Sequence, residues 1–121
     1  MYISEPDKGE IRNCIEKQLQ AFQEDDAEGA FAYASPAIQQ QFVTAENFLA
    51  MVKQQYRVVY RPRSVMFRGF TSIDDFPAQI VMLMDEAGTL VKAVYIMQQQ
   101  RDDLSWRIHG CMLVPIDESL K

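Results

Sequence analysis

The second half of the chain limits the possible folds most sharply. From Ser64 onward, stretches rich in β-branched, aromatic and other apolar residues are broken only by tight polar turns: Asp74-Asp75, Asp85-Glu86-Ala87-Gly88 and Arg101-Asp102-Asp103. The stretches predict strands at 64–73, 76–84, 89–100 and 104–114. A parallel crossover needs a dozen or more residues, so loops this short join antiparallel neighbours and the sheet is a four-stranded meander. Gly69 and Gly110 fall inside strands, where glycine marks a bend or bulge. A strongly curved sheet is therefore expected.

The first half reads as helices. Ser4 and Pro6 form a helix start, and Ile11, Ile15, Leu19 and Phe22 recur at helical spacing, which predicts a helix over about 7–23. Glu24-Asp25-Asp26 ends it and caps a short second helix bearing Ala27, Ala30, Phe31 and Ala34. Ser35-Pro36 opens a brief helix through Phe42. Thr44 caps another with Phe48, Val52 and Tyr56 on one stripe, and Pro62 stops any continuation. Helices first and strands second give an α+β fold, N-terminal helices packed on a curved four-stranded antiparallel meander. The 121 residues, 48% of them apolar, make one domain over 1–121 with enough core to stand without a metal or disulfide.

Loop length sets register, and register sets which side chains share a face. With even-numbered turns, one face carries Val65, Phe67, Phe76, Ala78, Ile80, Met82, Met84, Val91, Ala93, Tyr95, Met97, Trp106, Ile108, Met112 and Val114. It is almost wholly apolar and belongs under the helices. Within it Met82, Met97 and Met112, with the polar tips of Tyr33, Tyr56, Tyr95 and Trp106, are candidates to line a pocket. The opposite face carries Arg68, Phe70, Gln79, Val81, Leu83, Lys92, Val94, Ile96, Gln98, Arg107, His109, Cys111 and Leu113. Such a mixture suits a protein–protein contact, and a homodimer through Val81, Leu83, Val94, Ile96, Arg107, His109, Cys111 and Leu113 is the expectation.

Charge excludes several function classes. The net charge is -5, with nine acids against three bases in 1–46, and five bases without an acid in 47–73. An acidic chain repels phosphate backbones, so no nucleic-acid binding is expected. The basic island offers Arg57, Arg61 and Arg63 as candidates for a small anion; the plainer reading is that they pair with the acids of the first helix or stay solvated. Cys14, Cys111 and His109 cannot make a metal-ligand set, so no metal or cofactor is expected. No run approaches the ~20 residues of a membrane span, and MYISEPDKGE lacks the features of a signal peptide, which points to the cytoplasm. His109 is the one side chain that titrates near neutrality, but no acid shares its predicted face, which favours a surface or interface role over catalysis.

The stretch QLQAFQEDDAEGAFAYASPAIQQQF, followed by a helix and a curved meander, resembles the nuclear transport factor 2-like superfamily, the cone-shaped fold also called SnoaL-like or cystatin-like. The likeness covers roughly 7–116 and is greatest to a small bacterial branch without an assigned function. It implies a long helix across the concave face of a bent sheet, often with dimerisation through the sheet. Enzymes of that superfamily place an aspartate, histidine or tyrosine dyad in the cone. No Asp or His matches here, so no catalytic residue carries over. Three functions remain open: a non-catalytic dimeric association module, which leads; a binding protein for a small apolar or weakly anionic ligand in the cone; and a small isomerase- or hydrolase-like enzyme.

Overall fold

The computed structural model describes residues 3–116. Five helices come first: α1 (Glu5–Gln23), α2 (Ala27–Ala32), α3 (Pro36–Phe42), α4 (Ala45–Gln55) and α5 (Arg57–Tyr60). Four strands follow: β1 (Ser64–Ile73), β2 (Phe76–Met84), β3 (Leu90–Gln99) and β4 (Trp106–Pro115). They form one antiparallel sheet in the order β1-β2-β3-β4. The fold is α+β, helices followed by a curved meander, as the sequence predicts.

The helix starts are written in the side chains. Ser4 Oγ accepts from Asp7 N, Asp26 from Gly29 N, Ser35 from Ile38 N and Thr44 from Asn47 N, each satisfying a backbone donor left over in the first helical turn. The α1 stripe is buried as predicted, from Ile11 through Cys14, Ile15, Gln18 and Leu19 to Phe22. Gln18 is buried too, and its amide donates to the Ala30 carbonyl at 3.1 Å, tying α1 to α2. Pro62 sits just past α5, a single turn at Arg57–Tyr60 that the periodicity does not announce.

Both strand glycines mark irregular pairing. The register of β1 on β2 shifts between Phe67 and Phe70, across Arg68-Gly69, and that of β4 on β3 shifts opposite Ile96 and Met97, across His109-Gly110. Bulges of this kind bend the bulged strand and increase its twist. Gln79 holds the first one: buried at 2% exposure, it donates to the carbonyls of Arg68 at 2.8 Å and Gly69 at 3.1 Å.

These shifts, with one loop, overturn half of the expected face assignment. The β2–β3 loop has an odd number of residues, Asp85 to Thr89, with Met84 paired to Leu90. Asp85 builds it, its carboxylate accepting from Ala87 N at 3.0 Å and Thr89 N at 2.8 Å, while Gly88 takes φ +87°. One residue more or less inverts every side chain of a strand relative to its neighbour. Val81 and Leu83, expected on the outer face, are fully buried under the helices opposite Ala93 and Val91. Gln79 and Phe70 turn inward with them. Phe76, Ala78, Ile80, Met82 and Met84, expected inside, take the other face. The β4 bulge does the same beyond His109. Cys111 and Leu113 pair with the inward-facing Tyr95 and Ala93 and pack against the core, while Met112 and Val114 point outward, 41% and 37% exposed. The assignments of Ala93, Tyr95, Met97 and Ile108 to the helix side hold.

Candidate apolar cavity

A cavity of about 520 Å³ lies between α3, α4 and the edge strand β4, with α1 behind it. Phe22, Phe48, Val52 and Val59 form its helical side, and Tyr95, Ile108 and Cys111 its sheet side. Phe48 is the centre of an aromatic group, with the rings of Phe22, Phe31 and Phe42 within 6.0 Å of its own. Gln18, Gln41 and Gln55 are the amides in the wall, and no charged side chain lines it. Absence of charge and abundance of aromatic surface make the wall suited to a neutral, mostly apolar guest.

Ser35 and Tyr56 fix the frame. Ser35 N donates to the Ile108 carbonyl at 2.8 Å and Ile108 N donates to Tyr33 O at 2.8 Å, which clips the α2–α3 junction to β4. Tyr56 OH donates to the Cys111 carbonyl at 3.0 Å, clipping the end of α4 to the same strand. The chain between α3 and α4 turns sharply at Val43, which takes φ +70° and is 75% exposed, with Thr44 N donating back to Phe42 O. A β-branched residue seldom adopts positive φ, so this turn is strained.

One polar atom in the wall is left over. The Tyr95 side chain is 1% exposed, yet among the described residues no group hydrogen-bonds its hydroxyl. Burial pushes its pKa well above the ordinary tyrosine value, so the hydroxyl keeps its proton. The thiol of Cys111, directly across the strand pair, is pushed up to about 12 by burial and stays protonated as well. Burial likewise raises Tyr56, with the nearby Cys111 adding to it.

The pocket candidates divide three ways. Tyr56 and Tyr95 line this cavity, and Met112 borders it from the outer face of the edge strand. Tyr33 and Trp106 line a second cleft of about 790 Å³ between α1 and the β3–β4 turn, where Trp106 donates to Asp7 at 3.2 Å. Met97 is buried in the core and lines neither, and Met82 lies on the outer sheet face. Ile96 and Cys111, read from the sequence as dimer contacts, both border the cavity; Ile96 keeps the outer face expected of it, paired with Ala78, whereas Cys111 turns to the helix side opposite Tyr95. The signal that would have found them is Gly110, where the missing side chain leaves the β4 bulge open beside Ile96.

None of the candidate anion-binding arginines lines either cavity. Arg57 and Arg61 lie over the Tyr60 ring at 5.9 and 4.1 Å. Arg61 also donates to the Phe22 carbonyl at the end of α1 and pairs with Asp25 at 3.3 Å. The acid that Arg61 pairs with is not one of the first helix but Asp25, in the turn that follows it. Tyr60 donates to Asp25 as well, and this hydrogen bond, with Arg61 and Lys53 nearby, holds the Asp25 carboxyl below the usual range. Arg63 starts the sheet, its N–H donating to the Met84 carbonyl at 2.7 Å.

His109 sits in the β4 bulge, its Nδ1 2.9 Å from Ser35 Oγ and its ring 5.1 Å from that of Phe76. A serine and a histidine at this distance are the first two members of a nucleophile–base pair. Here Ser35 is fully buried, caps α3 through the same oxygen, and opens to neither cavity. The pair anchors α3 to the sheet. Among the described residues no group of three His, Cys, Asp or Glu side chains is placed to hold a metal, and no helix is long and apolar enough to cross a membrane.

The geometry defines a helix-covered, curved-sheet domain with an uncharged cavity beneath α3 and α4. The chain belongs to the family described as a domain of unknown function, DUF4864, whose model matches residues 4–119. No curated protein and no solved structure matches the chain.

Proposed function

We propose that this protein is a non-catalytic binding domain that holds a small, uncharged, mostly apolar molecule in the cavity under α3 and α4. The observation that carries the reading is the wall itself, about 520 Å³ of space faced by aromatic and aliphatic side chains and three amides without one charge. Small-molecule sites have this size and composition. The same wall argues against a weakly anionic ligand, because no cation faces it. It also argues against acid–base chemistry: Tyr56, Tyr95 and Cys111, the titratable groups there, all keep their protons near neutral pH. We read the arrangement as a nuclear transport factor 2-like cone, supported by α1 lying against a bent meander, and place the protein in the cytoplasm, where Cys14 and Cys111 stay as the free thiols they are here.

A second reading, compatible with the first, is self-association through the outer sheet face. Its corrected membership favours it more than the expected one did. Met66, Met82 and Val114 form one row with Lys92, and Ile80, Val94 and Met112 form the next. Met66 is 53% exposed. Taken over its whole length, the outer face of four strands of nine or ten residues spans roughly 19 Å by 30 Å, so two copies cover on the order of 1,000 Å², about the least area of a specific interface. Lys92 is the one charge among these rows, which leaves little repulsion between two-fold related copies.

Native mass spectrometry of the full chain, before and after incubation with 2-isopropenylnaphthalene, tests both readings. We expect a one-to-one adduct per chain and a dimer mass that Met66→Glu with Met82→Glu converts to a monomer. No adduct in either sample rejects the cavity reading, and a monomer in the unsubstituted protein rejects the association.

A further inference from the structure

Among the described residues, every buried side-chain nitrogen or oxygen of the cavity wall hydrogen-bonds within the protein except one, while Gln41 and Gln55 are exposed to solvent. Tyr56 OH is held by the Cys111 carbonyl, and Gln18 by the Ala30 carbonyl. Tyr95 is the exception, a phenol almost wholly removed from solvent with no protein partner, in a wall that also encloses free volume. Leaving a buried hydroxyl unpaired costs stability, and Tyr95→Phe would remove that cost at no loss of packing. A tyrosine at this place is explained if something in the cavity completes it.

We infer that the Tyr95 hydroxyl is the specificity element of the cavity, donating to a neutral oxygen acceptor of the ketone, ester or amide class on an otherwise apolar ligand. The inference rests on the cavity reading above and narrows it. Three observations select the class. The hydroxyl retains its proton, so it is a donor. No cation lines the wall, so a carboxylate or phosphate placed there would lose its water without a counter-charge. The facing Cys111 thiol is protonated and a weak hydrogen-bonding group, so it does not compete for the ligand oxygen.

Calorimetric titration of the full chain with a matched pair of probes separates the outcomes. 2-Acetylnaphthalene and 2-isopropenylnaphthalene share shape and differ by C=O against C=CH₂. We expect the ketone to bind about tenfold more tightly, the usual net worth of one buried hydrogen bond. Tyr95→Phe should erase the preference and leave the affinity for the hydrocarbon unchanged. The hydrocarbon binding equally to both proteins also shows that the variant is folded with its cavity intact. Equal affinity for the two probes in the unsubstituted protein, or a preference that survives Tyr95→Phe, overturns the inference while leaving the cavity reading standing. Failure of both probes to bind overturns the cavity reading and the inference together.

Discussion

Single side chains do two kinds of work here, and Asp25 shows how a sequence feature changes meaning once placed. Read along the chain, Glu24-Asp25-Asp26 is a helix stop and a cap, and Asp26 performs that capping. Asp25 instead takes φ +54° and gathers Tyr60, Arg61 and Lys53 from the far side of α4 and α5. The partners could not be read from the sequence, because α5 carries no periodic signal and Tyr60 and Arg61 lie 35 and 36 residues from Asp25. Its carboxyl is held below the ordinary aspartate value of about 3.9, first by the Tyr60 hydrogen bond. A depressed carboxylate stabilises the fold fully above its unfolded pKa and loses that contribution as pH falls through the folded one. Asp25→Asn should therefore lower the melting temperature at pH 6 to 8, with the gap to the unsubstituted protein closing as the pH is taken from there to below about 4. A gap that is constant across that range would show that the carboxylate charge is not what matters.

At the scale of elements, helix ends and strand spans were legible and strand faces were not. Caps are local: Ser4, Ser35 and Thr44 each act on a backbone N–H three residues away, so neighbouring residues suffice to place them. Faces depend on counting without error across loops and bulges. Asp74-Asp75 is the two-residue turn expected, both residues at positive φ, and the pairing nearest the β3–β4 turn is also as expected. The odd-numbered loop at Asp85 to Thr89 and the shift at His109-Gly110 each displace the register by one residue. Glycines 69 and 110 announced irregularity without saying which way it moved the pairing. The corrected register predicts opposite behaviour for adjacent residues. Leu83→Ala, which empties a fully buried site, should cost about 3 kcal/mol in denaturant unfolding. Met82→Ala, on the outer face of the same strand, should cost less than about 1 kcal/mol in the isolated chain. Equal losses at the two positions would contradict the inverted face.

For the whole molecule, the two sheet faces and the cavity follow from one geometric fact, that the bulged meander bends and gives one face to the helices. Burying Val81, Leu83, Ala93 and Tyr95 beneath α1 and α5 consumes one face, and the short α3, with no buried residue of its own, covers β4 only in part. Space remains between α3, α4 and the bulge. From sequence, the presence of a pocket could be framed through its tyrosines and methionines, and Tyr56 and Tyr95 were found that way. Its location could not, because it depends on where α3 falls across β4, a contact made through Ser35, Ile108 and His109 that is remote in sequence.

The most direct measurement is a two-dimensional ¹H–¹⁵N NMR titration of the full chain with 2-acetylnaphthalene. We expect saturable shifts grouped at the amides of Phe48, Val52, Gly110 and Cys111, with the outer-face residues Met82 and Lys92 unmoved. Shifts confined to the outer face, or to the cleft beside Trp106, or none at all, would contradict a binding site beneath α3 and α4.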